Sequence, residues 1–211
     1  MDIKICGITK AFEIEYLNIL NPSYIGFVFS KSKRRVSKEE AKVLLENLNR
    51  NIKVVAVFKD ESISYVNEII NYTNIDIVQL HGSEDMNYIN ILKSINEHLI
   101  IWKAIKIENN ESINNIKKYK VDKILLDSTS PGEGKRINLN FIKNIENKGN
   151  IIIAGGINKE NLNEIINQFY PHLIDLSSGV EKITLKGERY KSYTKMKELI
   201  EEVKSYDKRK I

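Results

Sequence analysis

The chain has 211 residues, of which 42% are hydrophobic, enough to bury a sizeable core. Its single cysteine excludes both an intramolecular disulfide and a zinc site made of cysteines, so no oxidising compartment is needed and a cytoplasmic location is expected. The net charge of +5 is dispersed among many acidic residues and the N-terminus lacks a long apolar run, so we expect neither a nucleic-acid partner nor a membrane partner.

Apolar runs typical of β-strands recur along the chain, separated by roughly 20 to 30 residues. The predicted strands are Ile3–Cys6, Tyr24–Phe29, Lys53–Phe58, Asp76–Leu80, Leu99–Ile105, Lys123–Asp127, Asn150–Ala154 and Leu173–Leu176. Eight strands is the number that closes a barrel of alternating strands and helices.

Amphipathic segments with apolar residues at helical spacing lie between these runs. The predicted helices are Ala11–Leu20, Lys38–Asn49, Ile63–Tyr72, Asp85–Ile95, Ile113–Tyr119, Leu139–Glu146, Lys159–Gln168 and Lys191–Lys204. Because strand and helix alternate without a linker, the sequence predicts an α/β fold, a single-domain (β/α)8 TIM barrel over residues 1–211. The alternative, a doubly wound sheet, usually needs fewer strands and a glycine-rich turn after the first strand.

The seventh and eighth strand runs both end in small residues, at 154–156 and 177–179. Such turns expose backbone N–H groups, and Asn158 is predicted to cap a helix whose N-terminus suits a phosphate. In a (β/α)8 barrel the loops after strands 7 and 8 commonly hold the phosphate. We therefore expect a phosphate site, with an ordinary tight turn as the alternative at each place. Its predicted members are Gly155, Gly156, Ser178 and Gly179.

Cys6 and Asp127 end the first and sixth strands, and alternation of side chains points both into the barrel mouth. A thiol whose pKa is lowered by nearby cations or helix N-termini would serve as a base, and the carboxyl as a general acid. The alternatives are an inert buried thiol and a carboxylate that caps the next turn. An acid and a base beside a phosphate site suit the isomerisation of a sugar phosphate.

Three further polar residues lie at strand ends that would face the same mouth. Arg34, in the basic run after the second strand, could fork onto a substrate carboxylate, although loop charges are more often solvated. Gln79 and His81 end the fourth strand and are interpreted as substrate-binding; His81 would act as a proton shuttle or simply bond to a loop carbonyl. No pair of histidines has metal-ligand spacing, so no metal is expected.

A charge pair is predicted inside the barrel. Lys4 shares its strand face with Cys6, Asp175 shares its face with Ser177, and strands 1 and 8 become neighbours when a barrel closes. Because an isolated charge there would be too costly, Lys4 and Asp175 should pair, directly or through a water.

Several short segments are specific in their combination, order and spacing. They are KICGIT at 4–9, GFVFSKSKR at 26–34, VVAVF at 54–58, VQLHG at 78–82, WKAI at 102–105, ILLDS at 124–128, GEGK at 132–135, AGGIN at 154–158 and DLSSGVE at 175–181. Through these segments the chain resembles the phosphoribosylanthranilate isomerases, barrel enzymes of tryptophan biosynthesis, over nearly its whole length.

The resemblance implies a cofactor-free Amadori rearrangement of N-(5-phosphoribosyl)anthranilate to 1-(2-carboxyphenylamino)-1-deoxyribulose 5-phosphate. It implies Cys6 as general base, Asp127 as general acid and Arg34 as ligand of the anthranilate carboxylate, with the phosphate at 155–156 and 178–179. The expected partner is this small-molecule substrate, and the chain is expected to be a monomer or a homodimer.

Two alternatives to this function remain. The related histidine-pathway isomerase performs the same rearrangement, but a resemblance to that family would imply a pair of aspartates as acid and base. Cys6 therefore argues against it. Outside enzymes, a phosphate-binding or nucleic-acid-binding protein that lost activity would keep the phosphate site while its acid or base decayed.

Overall fold

The computed structural model describes residues 1–128, 138–142, 145 and 149–208. Within this part of the chain, eight parallel strands close into a barrel in which each strand pairs with the next and the eighth pairs with the first. The strands are β1 Asp2–Cys6, β2 Tyr24–Val28, β3 Lys53–Phe58, β4 Ile77–Leu80, β5 Ile100–Lys106, β6 Lys123–Asp127, β7 Ile151–Ile153 and β8 Leu173–Leu176. The predicted barrel is confirmed, and no strand end moves by more than one residue.

Helices connect the strands on the outside of the barrel. They are α1 Ala11–Leu20, α2 Lys38–Glu46, α3 Ile63–Thr73, α4 Met86–Ile95, α5 Asn110–Asn114, α6 Leu139–Ile142, α7 Leu162–Gln168 and α8 Tyr193–Lys208. The predicted helix over Leu139–Glu146 begins where expected, but its second half falls largely outside the described residues. None of the helices in the described ranges combines the length and the apolar character that a membrane crossing requires.

Two predicted helix starts were wrong because asparagine side chains bond locally to the backbone. Asn109 accepts a hydrogen bond from the Ser112 N–H at 3.0 Å, so α5 begins before Ile113 and gives way to a 3-10 turn over Ile116–Lys118. At α7, Asn158 closes a turn ahead of the helix rather than capping it: its Oδ1 accepts from the Asn161 N–H at 3.3 Å. The helix therefore starts at Leu162, later than predicted.

The alternating strand pattern divides the buried side chains into two layers. One layer packs between barrel and helices and contains Ile3 and Ile5 of β1. The other fills the barrel interior, where Cys6 lies with large side chains such as Tyr24 and Trp102, whose rings meet edge to face at 5.1 Å. The predicted inward orientation of Cys6 is confirmed by this division.

A short antiparallel hairpin after β8 was not predicted, and the prediction that the last helix begins at Lys191 was wrong, because Lys191 ends this hairpin and the helix begins at Tyr193. The hairpin pairs β9 Glu181–Ile183 with β10 Arg189–Lys191, and Lys191 pairs with Glu181 in register. Both strands have only three residues and are rich in charge, so they carry no hydrophobic alternation from which a strand could be recognised. The hairpin brings two further cations to the mouth of the barrel.

A buried ion pair fixes the loops that follow β3 and β4. Lys103 of β5 lies with its Nζ 3.0 Å from Glu84 Oε2, and each side chain is 2% exposed. The ammonium also donates to the Gly82 carbonyl at 2.6 Å, while Glu84 accepts from the Asp60 N–H at 2.8 Å. The pair therefore connects both loops to the barrel wall next to His81.

Removal of one partner should leave the other as an uncompensated buried charge. We expect Lys103→Met to lower the free energy of unfolding by about 3 to 5 kcal/mol, measured by urea denaturation. Lys106→Met is the matched control on the same strand, since the Lys106–Glu108 pair is about half exposed, and it should cost about 0 to 1 kcal/mol. Similar losses for the two variants would contradict the role given to the buried pair.

Candidate active site

One cavity opens where the C-terminal ends of the barrel strands meet. It is lined by Cys6, Arg34, Gln79, His81, Asp127, Gly155, Gly156 and Ser178. Every site residue predicted from the sequence except Gly179 therefore borders the same space. Gly179 borders an adjoining cavity, which shares Gly156 and Ser178 with the first.

Cys6 lies in this cavity at the end of β1 and is 8% exposed. Burial raises the pKa of its thiol, and the neighbouring charge of Asp175 adds to the rise. The ammonium groups of Lys4 and Lys191 act in the opposite direction without reversing it. The lowered pKa that a base would need is therefore not found, because the loss of hydration outweighs the nearby cations.

The charge pair predicted inside the barrel is confirmed. Lys4 Nζ lies 2.9 Å from Asp175 Oδ2, and the two side chains are 0% and 7% exposed. The pair follows from the register of β1 and β8, in which Lys4 stands directly beside Asp175. Burial alone would lower the pKa of Lys4, but the charge of Asp175 and its hydrogen bond raise it, so Lys4 is an ammonium.

Asp127 is held from two sides at the end of β6. Its Oδ1 accepts a hydrogen bond from the Ser128 N–H at 2.7 Å, and its Oδ2 lies 3.1 Å from His81 Nε2. His81 Nδ1 lies in turn 2.8 Å from Gln79 Nε2. Capping of the turn and contact with the cavity, weighed as alternatives for Asp127, therefore occur together. The alternative in which the His81 ring bonds to a loop carbonyl was wrong, because both ring nitrogens lie within hydrogen-bond distance of side chains.

Arg34 is not the solvated loop charge that was its alternative. Its guanidinium is 12% exposed and forms two parallel hydrogen bonds to Glu181, from Nε at 2.6 Å and from Nη2 at 2.9 Å. This contact occupies one edge of the guanidinium. The second edge, formed by Nη1 and the other Nη2 hydrogen, has no carboxylate partner among the described residues, and the Arg34 residue borders the cavity.

Glu181 lies at the centre of a cluster of cations that sequence reasoning missed. Besides Arg34, the Lys191 ammonium lies 2.8 Å and the Arg189 guanidinium 3.4 Å from its carboxylate. Lys191 also donates to the Ser177 carbonyl at 3.2 Å. The only sequence signal was the position of Glu181 at the end of the DLSSGVE segment; Lys191 had none. With three cations around one carboxylate, this side of the mouth is positively charged.

Two of the predicted phosphate-site glycines make close contacts within the protein. Gly155 has φ +90°, and a β-carbon there would lie 2.8 Å from Asp127 Oδ1. A β-carbon on Gly179 would lie 1.9 Å from the Ile157 carbonyl oxygen. These positions require glycine to pack the loops after β6, β7 and β8 together, so close approach of a ligand is not needed to explain them.

The GEGK segment at 132–135 and most of the loop after β6 lie outside the described residues. Among the described residues, no group of three or more histidine, cysteine, aspartate or glutamate side chains is arranged to hold a metal ion. The described groups that border the cavity include one thiol, the hydrogen-bonded carboxyl and imidazole groups, and the Arg34 guanidinium.

The electrostatics of Glu181 give a testable pH dependence. Burial alone would raise its pKa, but the hydrogen bonds and charges of Arg34 and Lys191 lower it to about 2. A carboxylate whose pKa falls on folding adds stability above its unfolded pKa of about 4.5, and this stability disappears as the pH falls towards 2. We expect Glu181→Gln to be less stable than the parent above pH 4.5, and the difference to shrink between about pH 4.5 and 2.

Urea denaturation over this pH range would measure the effect. Glu188→Gln is the control, because Glu188 lies on the same hairpin but is exposed, and it should leave the pH dependence of the parent unchanged. A constant stability difference between Glu181→Gln and the parent across the whole range would show that the cations do not hold this carboxylate ionised.

Comparison with known proteins connects this geometry to a family. A sequence profile described as N-(5'phosphoribosyl)anthranilate (PRA) isomerase matches residues 3–202. The protein named N-(5'-phosphoribosyl)anthranilate isomerase in Clostridium beijerinckii is 44% identical, over 97% of this chain and 98% of its own. The crystal structure of phosphoribosyl anthranilate isomerase from Thermus thermophilus superposes with a TM-score of 0.85 at 29% identity, covering 98% and 100% of the two chains. An isomerase structure in complex with reduced 1-(o-carboxyphenylamino)-1-deoxyribulose 5-phosphate has a TM-score of 0.79 at 29% identity, covering 97% and 99%. The chain therefore belongs to the N-(5'-phosphoribosyl)anthranilate isomerase family.

Proposed function

We propose that Cys6 is the general base and Asp127 the general acid of an aldose-ketose isomerase that rearranges N-(5'-phosphoribosyl)anthranilate. The family's reaction, a step of tryptophan biosynthesis, is the reaction of this chain. One observation carries the assignment of residues: the thiol, the carboxyl and the arginine picked out from strand ends border a single cavity. That cavity lies at the C-terminal face of the barrel, where barrel enzymes carry their chemistry.

The first step is opening of the furanose ring. Asp127 donates a proton to the ring oxygen, the bond from this oxygen to C1 breaks, and a protonated imine forms between C1 and the anthranilate nitrogen. His81, 3.1 Å from the Asp127 carboxyl, orients it towards the cavity and is placed to return the proton. Gln79 supports the other side of the imidazole.

The second step removes a proton from C2 of the sugar. Cys6 as thiolate takes this proton, and the bonding electrons move towards the imine nitrogen to give an enolamine, which tautomerises to the ketone. The protonated imine itself accepts the electrons in this step. The chain's own contribution is to place the thiol on β1 and the carboxyl on β6, so that acid and base approach the substrate from different strands.

Two buried oxygen atoms in the cavity are suited to substrate hydroxyl groups. Gln79 Oε1 and Asp175 Oδ1 are both buried acceptors with no hydrogen-bond partner within the described part of the chain. An unpaired buried acceptor is costly, and an aminosugar phosphate supplies hydroxyl donors. We infer that both oxygens accept hydrogen bonds from the sugar.

The two anionic ends of the substrate have separate cationic or amide-rich partners. The free edge of the Arg34 guanidinium is suited to the anthranilate carboxylate, because Glu181 already holds the other edge in place. The phosphate is proposed to lie against the backbone at Gly155, Gly156, Ser178 and Gly179. The adjoining cavity bordered by Gly156, Ser178 and Gly179 supports this position.

Several expectations from the sequence stay predictions. These are the cytoplasmic location, the organisation of residues 1–211 as one domain, the monomeric or homodimeric state, and the independence of the reaction from a cofactor or metal. The imine chemistry above is the physical reason for the last of them.

Replacement of either proposed proton-transfer group should abolish most of the turnover. Cys6→Ser substitutes a hydroxyl too weakly acidic to form an anion near neutral pH, and Asp127→Asn keeps the shape but removes the proton. We expect each variant to lose at least roughly 10²- to 10⁴-fold in kcat, followed by the fluorescence of the anthranilate substrate.

Both variants should still bind a product analogue, since neither residue is assigned to the phosphate. Near-parental turnover in Cys6→Ser would return Cys6 to the alternative of a packed, inert thiol. A parent protein without isomerase activity on this substrate would refute the proposed function as a whole.

A second pair of variants tests the carboxylate ligand. Arg34→Lys replaces a planar fork by a point charge, so we expect kcat/KM to fall by the equivalent of roughly 1 to 3 kcal/mol. Arg35→Lys is the adjacent control, because Arg35 is exposed and does not border the cavity, and it should have the parental kcat/KM. Equal losses at the two positions would indicate a general effect of positive charge instead of a specific contact.

A further inference from the structure

A buried ammonium lies beside the proposed base. Lys4 and Cys6 are two residues apart on β1, so both side chains point into the barrel. A β-carbon built on Gly26 of the neighbouring strand would lie 2.9 Å from Cys6 Sγ and 3.2 Å from Lys4 Nζ. The sulfur and the nitrogen therefore occupy the space above this glycine together, and any larger side chain there would push at least one of them aside.

The Lys4 ammonium has donors beyond the one that it gives to Asp175. It donates a hydrogen bond to Asp175 Oδ2 at 2.9 Å, and an ammonium has three donors. Asp175 holds Lys4 through this one oxygen, since its Oδ1 has no partner in the described ranges. At 0% exposure Lys4 is sealed from water, so its other hydrogens face only the groups around it, of which Cys6 is one.

We propose that Lys4 is a positioning residue for Cys6: its ammonium fixes the sulfur at the cavity wall and is the immediate counterion of the thiolate. The Asp175 carboxylate reduces the electrostatic stabilisation that the thiolate gains from this ammonium. The inference rests on the proposed function, in which Cys6 is the base, and adds to it the group that makes a buried anion tolerable at that place.

The need for such a counterion follows from the burial of Cys6. A buried anion without a partner is strongly disfavoured, and burial raises the pKa of this thiol. Other charged groups also face the sulfur: Asp175 from β8, Lys191 from β10 and Arg34 from the loop after β2. Both of these other cations are bonded to Glu181, whereas Lys4 shares the space above Gly26 with the sulfur. His81 and Asp127 face the same cavity from β4 and β6.

The single cysteine makes a direct test possible. Alkylation by iodoacetamide reports on Cys6 alone, because the chain has no other thiol, and it needs no substrate. The thiolate is the reacting form, so the midpoint of the rate against pH measures how readily Cys6 ionises. Using the midpoint avoids the change in intrinsic nucleophilicity that accompanies any change in thiol acidity.

Two substitutions should move this midpoint in opposite directions. Lys4→Met removes the counterion and should raise the midpoint by about one pH unit or more, which is about tenfold less thiolate at any lower pH. Asp175→Asn removes the competing anion and should lower it. Structural damage alone would not give opposite shifts of this kind. Lys53→Met, an exposed lysine at the opposite end of the barrel, removes the same charge and should leave the midpoint unchanged.

A double variant protects the test against misfolding. Lys4→Met leaves Asp175 buried without a partner, whereas Lys4→Met combined with Asp175→Leu replaces the whole pair by apolar side chains, which is often tolerated. The double variant should have a smaller rise of the midpoint than Lys4→Met, because loss of the Asp175 charge acts in the opposite direction, and far-UV circular dichroism would establish that it folds. A midpoint in the double variant below that of the parent, or shifts of the two single variants in the same direction, would overturn the proposal.

Failure of the proposed function would have a different signature. If Cys6→Ser kept parental turnover, Cys6 would not be the base, yet the alkylation midpoints would still decide whether Lys4 is its counterion. If Cys6 is the base, the rise of kcat/KM with pH should follow the alkylation midpoint in each folded variant. A midpoint that moves without the kinetic profile would overturn the catalytic part of the inference.

Discussion

Closure of β8 onto β1 is the constraint on which the rest of the site depends. A closed parallel barrel brings the C-terminal ends of all its strands to one mouth, and alternation points every second side chain inward. The register of this last pairing sets Lys4 beside Asp175, so two charges that would each be intolerable alone become a pair at 2.9 Å. Cys6, two residues further along β1, is thereby placed at the rim of the interior beside that pair.

The cations around Glu181 place positive charge at the mouth of the barrel, and their bonds to Glu181 hold the side chains in fixed positions. Arg34, Lys191 and Arg189 come from separate segments and would repel one another, but one carboxylate bonds to all three. The cluster retains an excess of positive charge, which suits a substrate with a carboxylate and a phosphate. Because two of the guanidinium bonds to Glu181 are parallel, the orientation of Arg34 is fixed before any ligand arrives.

Close packing links the loops that carry the proposed acid to those that border the proposed phosphate position. The Asp127 carboxylate approaches Gly155 more closely than any side chain there would permit, and the Ile157 carbonyl does the same at Gly179. A movement of the loop after β7 would therefore displace both Asp127 and the turn after β8. This coupling explains why small residues occur in both turns without requiring that a ligand touch each of them.

The sequence by itself determined the barrel and the positions of the proposed acid and base, because these depend on local periodicity. Alternation along β1 and β6 already points Cys6 and Asp127 inward, and it pairs Lys4 with Asp175 once eight strands are assumed. The tertiary structure decided how these groups are held. The partners of Arg34 and His81 lie 147 and 46 residues away in the chain, and the hairpin that supplies Lys191 has no periodic pattern. The direction of the Cys6 pKa depended on a balance between lost hydration and neighbouring charges, which exists only after the chain has folded around the thiol.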